Sequence, residues 1–102
     1  MAKVIWSPLA KEDLLDIYVT IGLENRAAAE RYYDRLEHRA ELLSSQPRMG
    51  PRRPEIRPSA RMLVEAPYFI LYETLPDTDT GDVDYVEIVR VVDGRRDLLN
   101  LF

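Results

Sequence analysis

Four prolines and a glycine fall between residues 47 and 58 and split the chain into halves of different periodicity. Before this segment, apolar residues recur at helical spacing. After it, they crowd into short β-branched and aromatic runs. A chain that changes its apolar period once must bury a helical stripe against a sheet face, so the expected class is α+β.

The elements follow in order. Lys3 to Trp6 reads as a short strand. Ser7-Pro8 starts a helix, because Ser accepts an orphan N–H and Pro fits the first helical turn. Ala10, Leu14, Ile17, Tyr18 and Ile21 then form one apolar face, with Lys11, Glu12, Asp13, Asp16 and Thr20 outside, and Gly22 is a natural stop. Asn25 caps a second helix whose stripe is Ala29, Tyr32, Tyr33, Leu36, Ala40 and Leu43, and which ends at Gln46-Pro47. Two helices with a short connection make an antiparallel hairpin. Arg61 to Glu65, Tyr68 to Thr74 and Val83 to Val92 are the later strands, with turns at Ala66-Pro67 and around Gly81. The last is the longest and is apolar on both faces, which places it centrally. The expected architecture is a single domain over residues 1–102. Its order is β-α-α-β-β-β, with an antiparallel sheet packed against a two-helix hairpin. The first strand joins an edge or the central strand; the pattern leaves both open.

Composition narrows the chemistry. The 102 residues include no Cys, one His and a formal charge of −4. That excludes disulfide scaffolds, thiolate metal sites and Cys nucleophiles. The acidic balance argues against sequence-specific duplex binding, which needs a cationic excess. No apolar run reaches the roughly 20 residues of a membrane span. Met1-Ala2-Lys3 runs straight into a strand, so no signal peptide is expected and the cytoplasm is the expected compartment. The cations are 12 Arg and two Lys, and Arg suits bidentate carboxylate pairs and interfaces.

No catalytic residue, metal ligand or cofactor site is expected. His38 sits on the polar face of the second helix between Arg35 and Arg39. Asp77, Asp79, Asp82 and Asp84 fail the calcium-loop pattern, since counting from Asp77 puts Asp82 at the glycine position and Ile88 at the bidentate Glu position. They read as a solvated hairpin loop. Arg48, Arg52, Arg53 and Arg57 face a single acid, Glu55, in the proline segment, which reads as a stiff surface connection. Strict alternation puts Arg90 on one face with Val86, Ile88 and Val92. An Arg there needs a partner, and Asp93, Asp97 and Glu65 are the candidates. The tail ends on Leu98, Leu99, Leu101 and Phe102.

Several segments in order resemble one family. They are Ser7-Pro8-x-Ala10-x-x-Asp13-Leu14-x-x-Ile17-Tyr18, Ala28-Ala29-Glu30-Arg31, Leu42-Leu43-x-x-Gln46-Pro47-Arg48-Met49-Gly50, Pro67-Tyr68-x-Ile70-x-Tyr72, and Val86 to Asp97 with its Asp93-Gly94-Arg95-Arg96-Asp97 turn. Together they resemble the ParE branch of the RelE/ParE toxin superfamily. The resemblance implies a toxin of a bacterial type II toxin–antitoxin system, held by a ParD-like antitoxin in a hetero-oligomer and directed at DNA gyrase. The alternative within the superfamily is a RelE-like ribosome-dependent mRNA endonuclease. Asp93 stands where many relatives carry His. RNA cleavage needs proton-exchanging groups beside cations, and this chain supplies mostly arginines, so a non-enzymatic inhibitor is the expected mode. The expected target contacts are Arg90, Arg95, Arg96, Leu101 and Phe102. The expected antitoxin contacts are Leu15, Val19, Tyr33, Met62 and Val64 in a groove between hairpin and sheet edge, with Arg52 and Arg53 meeting carboxylates.

Overall fold

The computed structural model describes residues 1–95. Strand β1 (Lys3–Trp6) leads into helices α1 (Pro8–Gly22) and α2 (Arg26–Leu42), followed by strands β2 (Arg61–Glu65), β3 (Tyr68–Leu75) and β4 (Tyr85–Asp93). The helix starts follow the capping chemistry read from the sequence. Ser7 Oγ accepts the Ala10 N–H at 3.0 Å, and Asn25 Oδ1 accepts the Ala28 N–H at 3.0 Å. The α2 helix stops at Leu42, ahead of Pro47, in a turn carried by Ser44 and Ser45. The hairpin is stitched by an edge-to-face contact between Tyr18 and Tyr33, centroids 5.6 Å apart.

The strands form one sheet in the order β1-β4-β3-β2. The expected antiparallel pairing holds from β2 to β4, and β4 is an interior strand as expected. At β1 the expectation is corrected: β1 pairs with β4 in parallel, so the sheet is mixed. The helix hairpin returns the chain so that β2 runs in the same sense as β1. Two hairpin reversals then bring β4 back to that sense.

A second correction concerns β4. Tyr72 faces Ile88 and Leu71 faces Arg90, which leaves Val89 as an extra residue in a bulge. Side-chain phase therefore slips after Ile88. Val86, Ile88 and Val91 pack under the helices with Leu14, Leu36, Leu43, Ile70 and Tyr72. Val92 instead joins Met62 and Leu71 in a second cluster. The grouping of Arg90 and Val92 with Val86 and Ile88 fails for this reason.

Ile56 and Phe69 pack against that second cluster. The proline segment thus covers part of the sheet as well as connecting α2 to β2. It also borders β2: Met62 N–H donates to Pro51 O at 3.1 Å, and Arg53 N–H donates to Ala60 O at 2.8 Å.

Candidate functional site

Arg90 does not mate with Asp93, Asp97 or Glu65. Its Nε donates to Asp13 Oδ2 at 2.7 Å and its Nη2 to Asp13 Oδ1 at 2.9 Å. Asp13 lies on α1, on what the periodicity read as the solvent face. The same carboxylate accepts the Val91 N–H at 3.0 Å, and Ser7 Oγ donates to Val89 O at 2.9 Å. The flank of β4 beyond the end of β1 is therefore closed by two side chains, one capping α1 and one within it. The hydrogen bonds that Arg90 donates to Asp13 raise its pKa further and keep its charge matched. Arg95 sits past the turn, highly exposed, with Nε donating to Asp93 Oδ1 at 2.9 Å. Arg96, Leu101 and Phe102 lie outside the described residues.

Two arginines of the proline segment, Arg48 and Arg52, reach the acidic β3–β4 loop, and this corrects the reading of that loop as simply solvated. Arg48 Nε donates to Thr78 O at 2.8 Å and its Nη2 to Gly81 O at 2.9 Å. Arg52 bridges Asp77 and Asp79, each at 2.9 Å. Arg61, buried on β2, donates to Gly50 O at 3.0 Å and lies 3.4 Å from Asp79. Arg53 pairs with its neighbour Glu55 at 2.7 Å. Among the described residues, no three His, Cys, Asp or Glu side chains group so as to hold a metal ion.

The Arg52 guanidinium holds the Asp79 carboxyl below the usual carboxylate range. Its folded form therefore titrates below its unfolded form. The pairing stabilises above the unfolded value of about 3.9 and is lost as pH falls through the lower folded value. In an NMR titration, Arg52→Gln is expected to move the Asp79 midpoint upward toward the ordinary range. An unmoved midpoint would mean that the two side chains do not meet in solution.

The apolar candidates do not form one groove. Leu15 and Val19 are more than half exposed and continue through Leu23 as a stripe along α1. Leu15 and Tyr33 line a notch of about 290 Å³ with Trp6, Lys11, Leu14 and Glu37. Met62 is buried in the second cluster, so it is core and not surface. Val64 is half exposed, but β2 is at the opposite edge of the sheet from β1 and this notch.

A family model described as "ParE toxin of type II toxin-antitoxin system, parDE" matches residues 4–98. The chain belongs to the ParE toxin family. A chain from a solved structure titled "Chromosomal ParDE TA system from P. aeruginosa" has the same fold, with a TM-score of 0.72 at 21% identity, over 91% of this chain and 96% of that one. No curated protein sequence is similar enough to match. Within this ParE-family chain, no helix among the described residues is long and apolar enough to cross a membrane.

Sequence reasoning missed Asp13 as the partner of Arg90, because the pair is separated by 77 positions and helical phase placed Asp13 outside. The loop clasp left a usable signal: one loop rich in Arg and another rich in Asp.

Proposed function

We propose that this ParE-family toxin acts on DNA gyrase, by occupying it and not by breaking a bond, and is restrained by a ParD-type antitoxin. The supporting observation is the bidentate Arg90–Asp13 pair. Metal-free RNA cleavage needs arginines aimed at the scissile phosphate beside a proton donor and acceptor. Here Arg90 is matched by Asp13, and Arg52 and Arg61 face Asp79. These cations hold α1, the proline segment and the acidic loop in place.

Arg95, with Arg96, Leu101 and Phe102 after it, is the proposed target-facing end, and Arg90, paired with Asp13, anchors β4 next to it. Leu15, Val19 and Tyr33 are the proposed apolar contacts of the antitoxin. Val64, Arg52 and Arg53 are secondary candidates at the other edge.

Purified toxin is expected to stop gyrase from supercoiling a relaxed plasmid or to trap cleaved DNA, and equimolar antitoxin to reverse this. Arg95→Glu should weaken inhibition about tenfold or more while antitoxin affinity holds. Unaffected gyrase together with cut ribosome-bound mRNA would establish the RelE-like activity instead.

A further inference from the structure

The proline segment covers half of the sheet's outer face, the one turned away from the helices, and leaves the other half bare. On the covered half, Met62, Leu71 and Val92 are buried with Ile56 and Phe69 packed against them. Leu71 is 1% exposed, whereas Leu75, four residues further along the same face of β3, is 53% exposed. Strand register gathers a patch around Leu75. It stands opposite Tyr85 on β4, Tyr85 stands opposite Lys3 on β1, and Ile5 follows on the same side of β1 as Lys3. Tyr85 and Ile5 are exposed as well. The alternate residues Val4, Trp6, Val86 and Ile88 pack under the helices, so the patch residues point the other way.

Two unmatched charges of opposite sign lie within this patch. Glu87, half-buried, stands opposite Ile5 on one side and Glu73 on the other. Arg57 reaches Glu73 at 3.4 Å. Among the described residues, neither the Glu87 carboxylate nor the Lys3 ammonium has an ion pair or a side-chain hydrogen bond. The two sit on a diagonal, one strand and two residues apart, which separates their Cα atoms by about 8 Å. Ile5 and Tyr85 occupy the other diagonal of the same rectangle. A patch that carries both signs around an apolar line is complementary to itself.

We infer that this patch joins two copies of the chain across a twofold axis along the Ile5–Tyr85 diagonal. Turning the second copy about that line sets Ile5 and Tyr85 against their own counterparts. It brings Lys3 of each protomer over Glu87 of its partner, and Leu75 lies next to its counterpart beyond Tyr85. With strands about 4.8 Å apart and alternate residues about 6.6 Å apart, the strands of the two sheets then cross at roughly a right angle, one of the two preferred ways for sheets to pack. Any other protein would have to supply an acid and a base at this spacing; a second copy has them by symmetry. The contact is smaller than a standard interface, which fits a dissociation constant of about 10–100 μM. The helices lie on the opposite face, so the dimer leaves Leu15 and Val19 open to an antitoxin, and the inference stands apart from the gyrase reading.

The test is sedimentation equilibrium on the free toxin. The parent should pass from monomer to dimer as its concentration rises through about 10–100 μM. Lys3→Glu and Glu87→Lys should each raise the dissociation constant about tenfold or more, because each sets like charges against one another. The double variant Lys3→Glu/Glu87→Lys exchanges the signs and should return to within about threefold of the parent. Such recovery requires the two side chains to meet across copies, since within one copy they do not pair. Leu75→Ser, at an exposed position, should weaken the dimer about fivefold with an unchanged melting temperature. A parent that stays monomeric to about 1 mM would overturn the inference. So would a dimer that ignores both charge reversals, which would seat self-association elsewhere. A monomeric toxin whose Glu87→Lys variant inhibits gyrase less would overturn it too, and give the face to the target protein.

Discussion

Asp13→Ala is expected to cost about 3 kcal/mol of folding free energy. The carboxylate has two partners. It neutralises Arg90 through two short hydrogen bonds, and it accepts the Val91 N–H at 3.0 Å where β4 has no neighbouring strand. The two side chains are only 18% and 14% exposed. Without Asp13 the guanidinium is left partly desolvated with no counter-charge, and the Val91 amide loses its acceptor. At about 4–8 °C per kcal/mol for a domain of this size, the melting temperature should fall by about 12–24 °C. The double variant Asp13→Ala/Arg90→Leu removes the stranded charge as well. It should recover most of the loss and leave about 1 kcal/mol for the Val91 amide. Circular-dichroism melts of the two single variants and the double complete the cycle. A loss below about 0.5 kcal/mol for Asp13→Ala would place the pair among ordinary surface ion pairs.

Gly50→Ala should be comparably severe, at about 3 kcal/mol, the upper end of overpacking costs. A Cβ at this position would lie 2.7 Å from Met62 O and 2.8 Å from a Tyr72 ring carbon. Neither neighbour yields easily. Met62 O belongs to β2, and Tyr72 is fully buried on β3. The Gly50 backbone is also a junction. Its N–H donates to Tyr72 Oη at 2.9 Å, and its C=O accepts from Arg61 Nη1 at 3.0 Å. Burial pushes the Tyr72 phenol up, so it stays protonated at neutral pH. Moving Gly50 would also shift the start of the proline segment and draw Arg52 from Asp77 and Asp79. Urea unfolding should show the loss as a lower midpoint with an unchanged slope. Tyr72→Phe, which removes the hydroxyl and keeps the ring, should cost about 1–2 kcal/mol. A Gly50→Ala variant as stable as the parent would mean that the proline segment can move off Tyr72 freely.

The ends of the elements were legible where one local side chain decides them. Ser7 and Asn25 cap α1 and α2 as their chemistry requires. The bounds of β1 and β2 coincide with those read from the sequence. Alternation failed on β4 because a bulge is a two-strand property: Val89 becomes extra only when β3 supplies Tyr72 and Leu71 as fixed partners. The candidate contacts scattered for a related reason. Leu15 and Val64 each read as lining one groove, but Leu15 lies on α1 by the β1 edge while strand order puts Val64 at the opposite edge of the sheet. Met62 read as a groove contact, but Ile56 and Phe69 pack against its cluster and bury it.

By itself the sequence determined the α+β class, the six elements and their order, and the family resemblance. These depend on short-range periodicity, capping and motif spacing, which any stretch of chain carries with it. Tertiary structure alone decided that β1 lies parallel beside β4, that Asp13 holds Arg90, and that the basic and acidic loops close on each other. Those are pairings between distant segments. Each charge or open backbone group has several partners of suitable chemistry in the chain, and only packing selects which one comes within reach.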